Sequence, residues 1–265
     1  MLYAPVPTVF LVALLCSCSE RYSPFQIDVP KEYRDLTALN LTRLQDLPEA
    51  ELPITLAAIG DPQGTPGDLE ALVETLNNRD DIRLLLVLGD LTDYGLQTEY
   101  LWAARALSQS KVPFFTVVGN HDAISHGKSI YQAMFGPFNY TFEDAGLKFI
   151  MWNNNQFEFG EQDFTWLKQE SDGRSIVASH IPPVVDQHRP EQLGLWLGIQ
   201  SEAKILGSLH GHRGGKTDFL WQKNAIPYYV VPRVRGVRYS LITISKERKL
   251  SFQSCHSVCA EEQTP

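Results

Sequence analysis

Five short polar motifs, each closing an apolar run, bring together residue types that could hold divalent cations. They are Asp61-Pro62-Gln63, Gly89-Asp90-Leu91-Thr92-Asp93, Gly119-Asn120-His121-Asp122, Ser179-His180 and Gly211-His212-Arg213-Gly214. Asp90, Asn120, His180 and His212 offer a carboxylate, an amide oxygen and two imidazoles, a mixed set that suits Mn, Fe or Zn. Asp61, Asp90 and the side-chain oxygen of Gln63 would make a second, oxygen-only position suited to the harder Mn or Mg. A carboxylate can bridge two cations, and Asp90 is the natural bridge. Two cations roughly 3.5–4 Å apart clamp both oxygens of an in-line phosphoryl displacement and lower the pKa of a water between them. Adjacent side chains diverge, so His121 does not ligate beside Asn120; it is placed to donate to a leaving-group oxygen, with Asp122 fixing its ring.

The elements that must position these residues follow from periodicity. The runs ITLAAIG, LLLVLG, FFTVVG, SIVASH and KILGSL are short, apolar and bounded by turn residues, which predicts buried strands. Ligands of α/β sheets bind outside the carboxyl ends of strands, where all five motifs fall. Helices are predicted over 67–79, 97–109, 161–171 and 189–200, with a short one near 128–135. An earlier one, carrying Tyr33, Leu36, Leu44 and Leu47, ends at Pro48. A hairpin between Phe138 and Asn153 turns at Asp144-Ala145-Gly146, and strands follow near 217–222, 226–232, 237–245 and 249–254. The first half reads βαβαβ and the second mostly β, which makes one α/β domain over 51–254. Singly, each motif also has a plain structural use: Asp61-Pro62-Gln63-Gly64 is a good turn, and Gly and Asn tolerate positive φ at strand ends. Five motifs in series, each after a strand-like run, favour the chemical reading.

The 265 residues are 43% hydrophobic and 20% charged, as in a globular protein with a sizeable core. A formal charge of −8 argues against binding nucleic-acid backbone, which needs a positive field. Arg233, Arg235 and Arg238 are a local basic cluster, facing an anionic substrate or simply solvent. No acidic or basic residue precedes Glu20, and Val6–Leu15 has the length of a signal-peptide apolar region rather than a membrane span. Leu15-Cys16-Ser17-Cys18 resembles a bacterial lipobox, with Cys18 the residue to be lipidated. This predicts a leader over 1–18, a tether and helix over 19–50, and a protein exported to a bacterial envelope, held by its lipid and facing the periplasm. In that setting Cys255 and Cys259, at the head of the tail 255–265, read as a disulfide; a metal site with His256 is the alternative.

The array resembles the calcineurin-like metallophosphoesterase superfamily, whose blocks run Asp-x-His, Gly-Asp-x-x-Asp, Gly-Asn-His-Asp, a lone His and Gly-His-x-His. The resemblance covers about residues 54–245 and is most specific at Gly89–Gly95 and Gly119–Asp122. It implies a four-layer αββα sandwich, two mixed sheets flanked by helices. It also implies a phosphomonoesterase or phosphodiesterase with one or two divalent metal ions per chain, attacking in line with metal-activated hydroxide. Asp61 would bind one ion, Asp90 would bridge, and Asn120, His180 and His212 would bind the other, with His121 the acid or transition-state stabiliser. Gln63 and Gly214 stand where the superfamily has histidines, and both belong to the oxygen-only position. Some branches carry Asp-x-Gln; His210 and Asp218 are the neighbours that could compensate. The partner implied is a small phosphoester, and the Gly89–Gly95 loop resembles branches acting on cyclic nucleotides and other small phosphodiesters. The depleted half leaves a second reading, a non-catalytic anchored binding protein on the same scaffold.

Overall fold

Along β1 (Ile54–Ile59), alternate side chains enter different cores, which is what a strand covered on both faces requires. Leu56 and Ala58 face one core while Ala57 and Ile59 face another. The computed structural model describes residues 27–185, 187–213, 218–256 and 259–265. The predicted leader, Cys18 and Gly214 lie outside the described residues.

In chain order, α1 (Leu36–Gln45) precedes β1. Then come α2 (Pro66–Asn77), β2 (Ile82–Leu88), α3 (Gln97–Leu107), β3 (Phe114–Val117) and α4 (Gly127–Phe135). The hairpin of β4 (Tyr140–Asp144) and β5 (Leu147–Met151) is followed by α5 (Gln156–Phe159), α6 (Phe164–Glu170), β6 (Ser175–Ala178), α7 (Pro190–Ala203) and β7 (Gly207–His210). The chain closes with β8 (Phe219–Lys223), β9 (Ile226–Val230), β10 (Tyr239–Ile244) and β11 (Leu250–Cys255). One sheet runs β11-β10-β1-β2-β3, the other β4-β5-β6-β7-β9-β8. In the first sheet β1, β2 and β3 are parallel; in the second, β5, β6, β7 and β9 are. Both sheets are therefore mixed.

Three cores separate four layers. Leu56, Leu86, Phe115 and Val117 of the first sheet meet Phe142, Phe149, Ile176, Leu209 and Tyr229 of the second. Phe142 stacks between Phe115 and Phe149, with ring centroids at 4.0 and 4.8 Å. Residues of α2, α3 and α4 cover the outer face of the first sheet; Leu167 of α6 with Trp196 and Ile199 of α7 cover that of the second. The αββα sandwich expected from the resemblance is the observed architecture.

The local details have physical causes. The run KILGSL begins as the cap of α7, because Lys204 takes left-handed backbone (φ 54°), so β7 starts only at Gly207. Helix α1 packs on the first sheet: the Asn40 side chain accepts the Phe114 amide at 3.0 Å, and Leu36 and Leu44 are buried. The tail folds back as well, Gln263 and Phe252 exchanging backbone hydrogen bonds at 2.7 and 2.8 Å. Cys255 and Cys259 form a disulfide, which removes them as metal ligands. The Asp144-Ala145-Gly146 turn is as read: Ala145 and Gly146 both have positive φ, as a two-residue hairpin loop demands.

A charged clamp helps to join the sheets. Arg83 of β2 donates through Nε and Nη2 to both carboxylate oxygens of Asp144 on β4, at 2.9 and 2.8 Å. Its Nη1 donates to the Pro48 carbonyl at 3.0 Å. Removing Asp144 strands a largely shielded guanidinium, so Asp144→Ala is expected to cost about 2–4 kcal/mol. Urea unfolding should show a lower midpoint with an unchanged slope; an unchanged midpoint would show that the clamp is not stabilising.

Candidate metal centre

Asp61, Asp90 and Asn120 follow β1, β2 and β3, and His180 and His212 follow β6 and β7, so the two sheets meet at one edge. Asp61, Asp90 and His212 adopt left-handed backbone, with φ of 45°, 54° and 70°. Three strained non-glycine residues at three strand ends are the signature of a site that needs their side chains turned a particular way. The loops are cross-bonded. Asp61 N donates to Gly89 O at 3.2 Å, Gln63 N to Asp90 O at 3.1 Å, and Gly211 N to His180 O at 3.1 Å. Such close approach excludes side chains. A Cβ at Gly89 would lie 2.4 Å from His180 Nδ1, and one at Gly119 2.2 Å from Asp90 Oδ1.

Four ligand-type atoms converge. His180 Nε2 lies 3.2 Å from Asp90 Oδ2, 3.1 Å from Asn120 Oδ1 and 3.1 Å from His212 Nδ1. His212 Nδ1 is 3.0 Å from Asn120 Oδ1. Among the described residues Asp90, His180 and His212 form the group able to hold a metal ion, their ligand atoms within 4.8 Å of one another. His180 Nδ1 donates to the Leu88 carbonyl at 2.7 Å, which aims Nε2 at the cluster, the outer-shell bond that orients a ligating imidazole. Asp61 sits at the margin, Oδ1 accepting the His212 amide at 2.9 Å and lying 4.0 Å from His180 Nδ1.

The electrostatics match a cation site. Burial disfavours a charged His180, but the adjacent Asp90 carboxylate overrides it and raises the imidazole to about 9. Burial likewise opposes ionisation of Asp90, and the charge and hydrogen bond of His180 hold it below the usual carboxylate range. His212 is pushed down to about 4, first by burial and then by the His180 charge, so it is neutral and ready to ligate. In the metal-free protein His180 thus carries the proton a cation must displace, and cation affinity falls as pH drops. The donor set is the one mixed nitrogen–oxygen metal chemistry requires. Gln63 Oε1, shielded from solvent and without a hydrogen-bond partner among the described residues, is an oxygen that fits a cation in the neighbouring half.

His121 and Asp122 part company. His121 Nδ1 donates to the Asp93 carbonyl at 2.9 Å, and the His121 amide donates to Asp90 Oδ1 at 3.0 Å. The Asp122 carboxylate instead accepts the Gly119 amide (2.8 Å), the Thr92 amide (3.0 Å) and the Thr92 hydroxyl (3.1 Å). The expectation that Asp122 fixes the His121 ring is corrected: the Asp93 carbonyl does so, and Asp122 braces the two loops from below. Burial, then the Asp90 charge, push Asp122 up to about 7. His210 is buried on the other face of β7 from Leu209, its ring 5.7 Å from Trp196. Asp218 accepts the Tyr229 hydroxyl. Neither joins the cluster. Arg233 does reach the site margin, donating through Nη2 to the Gln63 carbonyl at 3.1 Å, whereas Arg235 is exposed.

Residues 153–155 carry a role that motif reading missed. Asn154 clamps Ile181, accepting its amide at 3.0 Å and donating to its carbonyl at 2.6 Å. Asn155 donates to the Val118 carbonyl at 2.8 Å. These asparagines therefore tie the His180 loop to the Asn120 loop. The signal was present: Asn153-Asn154-Asn155 ends the apolar run of β5, as the other motifs end theirs.

Residues 54–213 match the family model described as calcineurin-like phosphoesterase. A protein of Fibrobacter succinogenes named a probable cyclic nucleotide phosphodiesterase is 26% identical over 116 residues, 41% of this chain and 45% of its own length. The matched segment thus spans less than half of that relative. The purple acid phosphatase PPD1 from yellow lupin seeds superposes with a TM-score of 0.61 at 12% identity, over 83% of this chain and 54% of its own. GAP50, described as the anchor in the inner membrane complex of Plasmodium, superposes with a TM-score of 0.59 at 11% identity, over 80% of this chain and 89% of its own. At these identities the structural likenesses establish the fold.

Losing an outer-shell partner of a metal ligand typically costs about 10–100-fold in affinity. Asn154→Ala, which frees the backbone beside His180, is expected to weaken Mn or Zn binding by that order in a competition titration with a chelating indicator. Unchanged affinity in the folded variant would show that Asn154 does not position the histidine.

Proposed function

The chain belongs to the calcineurin-like phosphoesterase family, and from that premise we propose that it is a metal-dependent phosphoric ester hydrolase acting on a small phosphomonoester or phosphodiester. The observation that carries this reading is the convergence of Asp90 Oδ2, Asn120 Oδ1 and His212 Nδ1 on His180 Nε2, at 3.1–3.2 Å, with His212 Nδ1 3.0 Å from Asn120 Oδ1. These four would hold Mn, Fe or Zn; Asp61 and Gln63, with Asp90 between, would hold Mn or Mg. Bound there, the cations supply charge neutralisation at the phosphoryl oxygens and a lowered pKa for water.

The chain's own residues supply the rest. The Asp93 carbonyl on His121 Nδ1 leaves Nε2 as the ring nitrogen available to protonate the leaving-group oxygen. The same Asp90 carboxylate that faces His180 accepts the His121 amide, so the acid and the cation site share one rigid anchor. A small phosphodiester such as a cyclic nucleotide is the favoured substrate, supported by the name of the Fibrobacter succinogenes relative and by the Gly89–Gly95 loop. The charge of −8 weighs against polymeric nucleic acid.

The test is hydrolysis of an aryl phosphomonoester, an aryl phosphodiester and a cyclic nucleotide with Mn added. Turnover of at least one is expected, abolished in Asp90→Asn and reduced about 10²–10⁴-fold in His121→Ala. No turnover above the Asp90→Asn level, with no metal retained after reconstitution, would instead establish the non-catalytic binding reading that Gln63 and Gly214 favour.

Export with lipid anchoring at Cys18 belongs to the same proposal, supported by the apolar Val6–Leu15 stretch and by a disulfide of the kind oxidising compartments permit. Cys18→Ser should move the protein from the membrane to the soluble envelope fraction; an unchanged distribution contradicts the anchor.

A further inference from the structure

Two shielded polar atoms beside the oxygen-only half have no hydrogen-bond partner among the described residues, and they make opposite demands. Gln63 Oε1 is an acceptor; Arg233 Nε is a donor on a permanent cation. The backbone brings them to one place. Gly60 and Arg233 form a parallel bridge, Gly60 N donating to Pro232 O at 3.2 Å and Val234 N donating to Gly60 O at 3.0 Å. Arg233 Nη2 then donates to the Gln63 carbonyl at 3.1 Å. The guanidinium is thus anchored on the loop that carries Asp61 and Gln63, one residue pair beyond the end of β1.

A purely structural arginine, pinning this loop, accounts for Nη2. It does not account for Nε, because a shielded donor on a charged group without a partner is left with its desolvation uncompensated. An unsatisfied group requires an explanation, and at the edge of a site a ligand supplies one. An anion satisfies Nε, and a cation satisfies Gln63 Oε1; a phosphoryl group accompanied by its metal ion answers both demands. Arginine is the side chain suited to the anion's part, because its planar fork makes paired contacts with phosphate oxygens and stays charged at any working pH.

We propose that Arg233 binds the phosphoryl group of the substrate, its guanidinium providing beside Asp61 and Gln63 the fixed positive charge that this half does not draw from imidazole ligands at positions 63 and 214. The assignment rests on the phosphoester reading of the site. It makes substrate affinity depend on a residue outside all five motifs, and it gives the depleted half a function that does not require a tightly held second ion.

Inorganic phosphate is the probe, titrated calorimetrically into the Mn-loaded protein and into Arg233→Gln, Arg233→Met and Arg233→Lys, with bound Mn counted in each and folding checked by circular dichroism. The neutral variants keep the aliphatic stem, and two are made so that one misfolding variant does not end the test. At least tenfold weaker phosphate binding is expected in either folded neutral variant, with unchanged Mn content. Arg233→Lys or added guanidinium should recover part of the loss, and KM should rise more than kcat falls. Phosphate affinity equal to wild type in a folded neutral variant overturns the assignment and leaves the phosphoesterase reading standing. A wild-type protein that neither binds phosphate nor hydrolyses any ester overturns both.

Discussion

The contact between the His180 imidazole and the Asp90 carboxylate, 3.2 Å apart and shielded from solvent, is the interaction on which the remaining structure turns. Buried separately, each group would be driven to its neutral form. Buried together they hold opposite charge in the metal-free protein, the imidazole raised to about 9 and the carboxylate lowered. A pair of this kind is costly to assemble and strongly destabilising to break on one side. The fold meets that cost with further bonds: Leu88 O on the other imidazole nitrogen and the His121 amide on the other carboxylate oxygen. The glycines at 89 and 119 are dictated by the same contact, since a methyl at either would occupy the space of the pair.

Asp90 and Asn120 come from one sheet and His180 and His212 from the other, so the cluster's geometry is set by how the sheets pack. The aromatic stack of Phe115, Phe142 and Phe149 and the Arg83–Asp144 clamp fix that packing at a distance from the site. Close to it, Asn154 and Asn155 bind the loop after β6 to the loop after β3. Packing, clamp and asparagine tie act in series. Each constrains the same few ångströms between a carboxylate and two imidazoles.

Much of this was legible in the chain because it is carried by local patterns. Continuous apolar runs ending in Gly-Asp or Gly-Asn identify strands of a doubly covered sheet and place oxygen ligands at their carboxyl ends, which is where Asp61, Asp90 and Asn120 stand. What was not legible depends on three-dimensional neighbours. Nothing in Asn120-His121-Asp122 reveals that Asp122 turns down to Thr92 and Gly119 while a backbone carbonyl takes the His121 ring. The Asn153–Asn155 run was passed over because asparagine at a strand end has an ordinary turn reading. In the sequence Arg233 does not stand apart from Arg235 and Arg238, because its bond to the Gln63 carbonyl is made across 170 positions. The helix at 36–45 is bonded to residues far later in the chain, Phe114 among them, which no local pattern shows.

The two halves of the site are unequal: one has a carboxylate, an amide and two imidazoles in mutual contact, the other an aspartate, a shielded amide oxygen and a nearby guanidinium. The central claim is that the first half is a metal centre. Anomalous diffraction from crystals of the protein grown with Mn tests it most directly. A strong peak bounded by Asp90, Asn120, His180 and His212 is expected, with any second peak weaker and beside Asp61. Crystals grown with excess Mn that show no peak within that cluster would contradict it.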